Sequence, residues 1–477
     1  MTCVDAFYAA PRPDPWGRLR VPFSPVLARM GAEFSAASYG LSIGPFLRAG
    51  WTDVNFLLDN RAFSLGEALG ERKWQHHLER EWKLLRAQQW LRLPQPVGDV
   101  IRVRQQPQRP EAGKTVLMAR TLDQKRAIIA ITFIGTTQRL YDWFSNFKLH
   151  VEEGMHQGFL SLARHFLTYA DRFSFPETAM NLGMERLTLA DAFAEAARPD
   201  SRILLFLTGH SQGGAVVQTA VHRMRAMGVL DSNLLAYTYA APKAAALGGV
   251  ADPANYPIHN LVNSDDFVPI LGAQLRLGLD WIYEPSEAFR ALCYDWPPPN
   301  QSAVMDATRA LFANAPNSET VMAYLIALLR LLEGMPDRSQ ALALLRRTID
   351  RYPFFRQVTQ FAESYLERGL SRSLRWLEGA YLQFAGQAPD GESIARMQAD
   401  WLAFYRQAGS LDIALDGLRT VLFGPHMICV GRGVATPPYL CMVRSCLPDL
   451  SCGVWQPDAP ARCVDPNGAV LLGSPRS

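Results

Sequence analysis

A serine flanked by glycines at the end of an apolar run is the feature of this chain that most directly suggests chemistry. Gly209-His210-Ser211-Gln212-Gly213 fits G-x-S-x-G; the apolar residues 203–207 precede it, and Ala215, Val216, Val217 and Ala220 follow at helical spacing. The pattern over 202–226 predicts a buried strand, a sharp turn and a helix. Such a turn strains the serine backbone and leaves no room for side chains nearby, which Gly209, Gly213 and Gly214 satisfy. The turn lifts the Ser211 hydroxyl clear of the sheet edge, and the helix aims its positive end at it. Ser211 is the candidate nucleophile; the alternative is a Gly-Ser loop that merely precedes a helix.

A serine hydroxyl is a weak nucleophile at neutral pH. It needs a histidine to accept its proton and a carboxylate to fix that histidine's tautomer. After a nucleophile elbow the partners follow in the order Ser, Asp, His. Of nine histidines, His76, His77, His150, His156 and His165 precede Ser211, His210 is held in the turn, His222 lies on the elbow helix, and His259 precedes the acid candidates. His426 is left as the general base, the alternative being a structural histidine in FGPHMIC. Asp265 and Asp266 follow a strand-like stretch, 260–262, where a loop at the carboxyl edge of a parallel sheet reaches the site. Oxyanion donors are expected from the Gln212 backbone N–H and from Gly135-Thr136, with the Thr136 hydroxyl as an additional donor.

These residues need a scaffold. The apolar runs 115–119 and 127–133 predict a hairpin around Asp123, Gln124 and Lys125, its second strand buried on both faces. Strands are also expected at 203–207, 234–239 and 260–262, with an edge strand at 277–283. Residues 22–70 read as helices covering one face, the second entered near Ser64; 74–92 reads as a charged helix and 153–173 as a loop leading into another. Beyond Pro297-Pro298-Pro299, the segments 301–315, 319–334, 338–351, 354–369, 371–386, 390–408 and 411–422 carry apolar residues at three- and four-residue spacing. The expected class is α/β: a mostly parallel, doubly wound sheet with an inserted or appended helical block. Residues 1–295 would form the core, 296–422 the helical insertion or cap, and 423–477 a return to the core carrying His426 and a cysteine-rich tail.

At 477 residues the chain exceeds what one hydrophobic core usually organises. With 48 basic and 45 acidic residues it is nearly balanced, and no basic stripe interleaves with aromatics, so nucleic acid is not an expected partner. Neither a Sec-type leader nor a membrane-spanning run is legible, which points to a cytoplasmic protein or one exported by a non-Sec route. Of seven cysteines, Cys429, Cys441, Cys446, Cys452 and Cys463 crowd the last fifty residues without a zinc-site spacing. They fit either a disulfide-stapled tail or a set of free thiols.

Taken together, the motifs resemble the class 3 lipases, the family of the fungal triacylglycerol lipases and their bacterial relatives. The oxyanion segment F-R-G-T/S is similar to Phe133-Ile134-Gly135-Thr136, with Ile134 in place of the arginine. V-H-x-G-F is similar to Met155-His156-Gln157-Gly158-Phe159, G-H-S-L-G-G to residues 209–214, and T-F-G-S-P-R to residues 238–243. D-x-V-P resembles Asp266-Phe267-Val268-Pro269, which favours Asp266 over Asp265, and H-M-I-C-V-G at His426 loosely resembles H-x-x-Y-F-G. The likeness covers roughly residues 25–290. It implies α/β-hydrolase architecture and hydrolysis of lipid carboxylic esters through an acyl-enzyme at Ser211, with no metal or cofactor. It also implies a short lid helix near Tyr141-Asp142-Trp143-Phe144, whose apolar Leu140, Trp143 and Phe147 would open at a lipid surface; core packing is the other role open to them.

Two further readings are open: an antibacterial phospholipase effector acting on membrane glycerophospholipids, and a hydrolase fold kept as a binding module. In the second, the helical block would engage a protein partner, such as a secretion or inhibitor protein, or a membrane.

Overall fold

The computed structural model describes residues 12–13, 19–20, 23–39, 43–58, 61–65, 114–123, 125–136, 150–285, 287–294, 306–307, 318–334, 370–409, 424–426, 438–439, 442, 462–464 and 470–473. Their framework is a ten-stranded sheet. In chain order its strands are β1 (Thr52–Leu58), β2 (Arg61–Ser64), β3 (Thr115–Asp123), β4 (Arg126–Phe133), β5 (Ile203–His210), β6 (Leu234–Tyr239), β7 (Ile258–Asn263), β8 (Leu279–Glu284), β9 (Arg462–Val464) and β10 (Val470–Gly473). Their spatial order is β9-β10-β8-β7-β6-β5-β4-β3-β1-β2. The middle strands β4 to β8 run parallel, while the flanking pairs are antiparallel. A parallel centre covered by helices, with a strand-turn-helix elbow at its middle, is the α/β-hydrolase fold.

Parallel strands buried on both faces carry long apolar runs, as β4 does over 127–131 and β5 over 203–207. Side chains alternate across the sheet, so each strand feeds two cores. Ile129, Ile131, Leu205 and Leu207 join one core with helices α2 (Gln157–Leu167), α3 (Leu189–Ala196) and α4 (Gln212–Ala226). Ile128, Ala130, Leu204 and Phe206 join the other, under α1 (Pro25–Tyr39) and α5 (Glu287–Tyr294).

Helix α1 is pinned by polar contacts as well as by apolar burial. The Tyr239 hydroxyl donates to the Ala28 carbonyl, Thr208 donates to the Gly31 carbonyl at 3.0 Å, and the Ser35 and Thr208 hydroxyls lie 3.0 Å apart. A Cβ at position 31 would come within 2.8 Å of the Tyr239 hydroxyl, so glycine is what lets the helix approach this closely. The docking fixes the last residue of α1, Tyr39, over the middle of the sheet.

Two expectations are corrected. Residues 52–64 form the hairpin β1–β2 rather than a helix, because the run Val54 to Leu57 is buried against β3 and tertiary pairing overrides local spacing. Only Leu65 of a helix beyond Ser64 is described. Strand β8 is not an edge, since β10 pairs with it antiparallel, Trp281 opposite Gly473 and Glu284 opposite Val470. The sheet is thus closed on that side by a segment on the far side of the helical block.

Within that block, α6 (Ser318–Glu333), α7 (Leu370–Ala385) and α8 (Gly391–Ala408) share a core of their own, including Ile326, Ala327, Leu377, Trp401 and Phe404. Trp401 donates to the Tyr324 carbonyl at 2.9 Å, and Arg330 pairs with Glu378 at 2.6 Å. Asp390 caps α8 by accepting from the Ser393 N–H, and Gly409 ends the helix at a φ of +74°. Phe267, Ile270 and Leu271 of the sheet domain pack against this core. The expected segments 338–351, 354–369 and 411–422 and the charged helix 74–92 lie outside the described residues, and of 301–315 only Asp306 and Ala307 fall within them. Among the described residues, no helix is long and apolar enough to cross a membrane, and no cluster of His, Cys, Asp or Glu could hold a metal ion.

Candidate active site

The turn between β5 and α4 carries Ser211 at φ 59° and ψ −132°, a region that few residues other than glycine occupy. What holds it there is crowding by backbone. A Cβ on Gly213 would lie 2.2 Å from the Phe133 carbonyl oxygen, and one on Gly209 would lie 2.5 Å from the Gly213 carbonyl. The Ser211 N–H donates to the Tyr239 carbonyl at 2.9 Å, tying the turn to β6. Strand ends on both sides thus set the position of Ser211, and its side chain is nearly buried.

Asp266 follows β7 by three residues, and Val268 N–H donates to its Oδ1 at 3.0 Å. His426 lies in the short described turn 424–426. Its Nδ1 is 2.9 Å from Asp266 Oδ2, and its Nε2 is 2.9 Å from Ser211 Oγ. A carboxylate only accepts, so Nδ1 carries the hydrogen and Nε2 is left to accept from the serine hydroxyl. All three residues are buried, at 8%, 4% and 8% exposure for Ser211, Asp266 and His426. Asp265 points elsewhere: the guanidinium of Arg290 holds it bidentately at 2.7 and 2.9 Å. The chemistry open to this arrangement is proton withdrawal from Ser211 with the resulting imidazolium held by Asp266.

The loop after β4 passes beside the nucleophile. A Cβ on Gly135 would lie 3.1 Å from the Ser211 Cβ, and Thr136 comes next. Gln212 opens α4 directly after the serine. Leu140, Trp143 and Phe147 lie outside the described residues, as do Cys429, Cys441, Cys446 and Cys452. Cys293, on α5, is a buried thiol.

Three tyrosines join this site without any local motif to announce them, together with His210 of the elbow. The Tyr439 hydroxyl donates to Asp266 Oδ2 at 2.9 Å and accepts from the Asn263 N–H at 3.1 Å. Burial, and then the neighbouring Asp266 charge, push its pKa well above 10, so it stays a donor. The side-chain nitrogen of Asn263 bonds the Tyr294 hydroxyl and reaches the Pro425 carbonyl at 3.3 Å, next to His426. His210 lies on the other side of the base, its ring 4.6 Å from that of His426, with Tyr39 against its far edge. The one advance signal was the side-chain type: buried tyrosines and histidines require partners. The partners of Tyr39, His210 and Tyr439 lie 171 to 216 residues away in the chain, and Asn263 lies 31 residues from Tyr294.

No curated protein matches the chain. Among solved structures, a Rhizomucor miehei lipase in complex with its propeptide is 16% identical over 54% of this chain and 67% of its own, with a TM-score of 0.31. A fungal lipase solved in complex with an inhibitor is 21% identical over 37% of this chain and 63% of its own, at 0.27. For the lipase from Rhizopus microsporus var. chinensis the values are 21%, 37% and 60%, at 0.26. The chain thus spans 60% to 67% of the length of these lipases. The family model described as Lipase (class 3) matches residues 130–275, which run from β4 through the elbow and the Asp266 loop to the approach to β8. Over that span the chain is similar to the class 3 lipase family.

Proposed function

We propose that this protein hydrolyses carboxylic esters of lipids, with Ser211 as nucleophile, His426 as general base and acid, and Asp266 holding the imidazole. The observation that carries the reading is the pair of 2.9 Å contacts that put one histidine between a strained, nearly buried serine and a buried carboxylate. Ser211 Oγ attacks the ester carbonyl carbon as His426 Nε2 takes its proton. The oxyanion is met by the Gln212 backbone N–H and by Thr136. His426 then returns the proton to the leaving alcohol as the C–O bond breaks, and the acyl group stays on Ser211. Water repeats the sequence and releases the carboxylic acid. None of these steps calls on a metal or cofactor.

In this reading residues 1–295 make the hydrolase core, 296–422 a helical insertion, and 423–477 the return that supplies His426. The lid role of Leu140, Trp143 and Phe147 belongs to the same reading and to its expectation of transient contact with a lipid surface. The test is release of p-nitrophenol from a medium-chain ester by the full chain and by Ser211→Ala, with a fluorophosphonate probe alongside. The variant is expected to lose about 10⁴-fold or more in kcat and all labelling; full activity in it overturns the reading. Triacylglycerol emulsions and phospholipid vesicles compared on the same protein assign the lipid class.

A further inference from the structure

We infer that His210 is a positioning residue that holds the His426 loop through its ring Nε2–H, and that Tyr39 sets the tautomer this requires. The inference rests on the hydrolase reading above. His210 Nε2 lies 2.7 Å from the backbone carbonyl oxygen of His426. A carbonyl can only accept, so Nε2 carries the hydrogen. In a neutral imidazole Nδ1 is then an acceptor, and it faces the Tyr39 hydroxyl at 2.8 Å. One tautomer satisfies both ends of the ring, and both contacts are to groups at least 171 residues away.

His210 also needs to be neutral. It lies beside the one ring that becomes a cation during turnover, and a second positive charge there would oppose proton uptake by His426. Burial, and then the neighbouring His426, hold the His210 pKa well below 6.5. Among the described residues, the other rings packed against it are uncharged phenols: Tyr39 on its edge and Tyr439, whose ring centroid lies 5.8 Å away. The residue before the nucleophile therefore bonds the main chain of the base, while the nucleophile bonds that base's side chain. A rotation of the 424–426 turn that moved Nε2 away from Ser211 would break the 2.7 Å bond as well.

The experiment compares His210→Gln, whose amide nitrogen reaches the same distance as Nε2, with His210→Phe, which keeps a ring and loses the donor. Readouts are kcat and KM for p-nitrophenyl butyrate and the rate of fluorophosphonate labelling at Ser211. His210→Phe is expected to lose about 100-fold in kcat and in labelling rate at a KM changed less than about twofold, the penalty for a base displaced by about 1 Å. His210→Gln is expected to recover most of that loss. If His210→Phe does not fold, Tyr39→Phe carries the test, with an expected kcat loss of about 2- to 10-fold, the worth of one neutral hydrogen bond. A His210→Phe variant as active as the parent, a His210→Gln variant no better than His210→Phe, or, where Tyr39→Phe carries the test, parental kcat in that variant overturns the inference and leaves the hydrolase reading standing. A parent protein that neither turns over nor labels overturns both.

Discussion

The candidate nucleophile and the candidate base are positioned in opposite ways. Ser211 sits at the end of β5, in the middle of the sheet, and its backbone is wedged by Gly209, Gly213 and the Phe133 carbonyl. His426 comes from a turn 215 residues later, and among the described residues it is held by side chains that bond main-chain carbonyls: His210 at position 426 and Asn263 at position 425. One is fixed by hard contacts that cannot yield, the other by directional bonds that can be removed one at a time. Asp266 stands between the two regimes. It leaves the sheet from β7, yet Phe267 beside it packs into the core of the helical block.

The comparison breaks most sharply at its two ends. His426→Ala is expected to lower kcat about 10⁶-fold while changing stability by less than about 1 kcal/mol, as measured by steady-state kinetics and urea unfolding. Gly213→Ala should lose both properties, about 100-fold or more in kcat and about 3 kcal/mol in unfolding free energy, because its methyl group would meet main chain. If Gly213→Ala kept parental stability, the wedge would not be what fixes the elbow. Tyr439→Phe removes one donor to Asp266 together with the acceptor of the Asn263 N–H, and kcat should fall about tenfold at unchanged KM. An unaltered kcat would mean that His426 and the Val268 N–H orient the carboxylate without it. Phe267→Ala loosens the contact between the acid loop and the helices, with an expected cost of about 1 kcal/mol in chemical unfolding.

The smallest effect is a pH slope. His210 has a folded pKa below its ordinary 6.5, so the unfolded chain binds more protons between those two values. The stability tied to its neutrality is complete above about pH 6.5 and is lost as pH falls toward the folded value. His210→Gln should therefore show a shallower fall in melting temperature from pH 7 to pH 5 than the parent. Equal slopes would mean that His210 accepts a proton in the folded state as readily as in the unfolded one.

Much of this was legible in the sequence where the physics is local. The elbow announced itself because a strained serine forces glycines to fixed offsets, and β4, β5 and β6 because two-sided burial forces unbroken apolar runs. Asp265 and Asp266 could not be separated by residue type alone. A family motif favoured the second, and the structure gives the physical difference, an arginine on the first and a histidine on the second. His426 could be reached by chain order, because order is a topological property. The hairpin at 52–64 and the covered edge of β8 were misread, since both depend on a partner strand far away in sequence. Tyr39 fell within the helices expected over 22–70, and Tyr439 carried no signal beyond its residue type. Their function lies in what they touch, and sequence spacing does not encode contacts between residues 171 or 173 apart.

The pairing of β10 with β8 sets a schedule for synthesis. A ribosome delivers the elbow and the acid loop well before the base, and at roughly 5–20 residues per second the stretch from 267 to 426 occupies about ten to thirty seconds. During that interval the emerging chain holds Ser211 and Asp266 without a proton acceptor. The sheet's open flank waits longer still, until residues 470–473 arrive. Closing so long a loop adds little to the equilibrium cost, which grows only with the logarithm of its length, but it delays the event. In the proposed reading, a protein built this way can act only after residue 426 has left the ribosome and folded back onto the elbow.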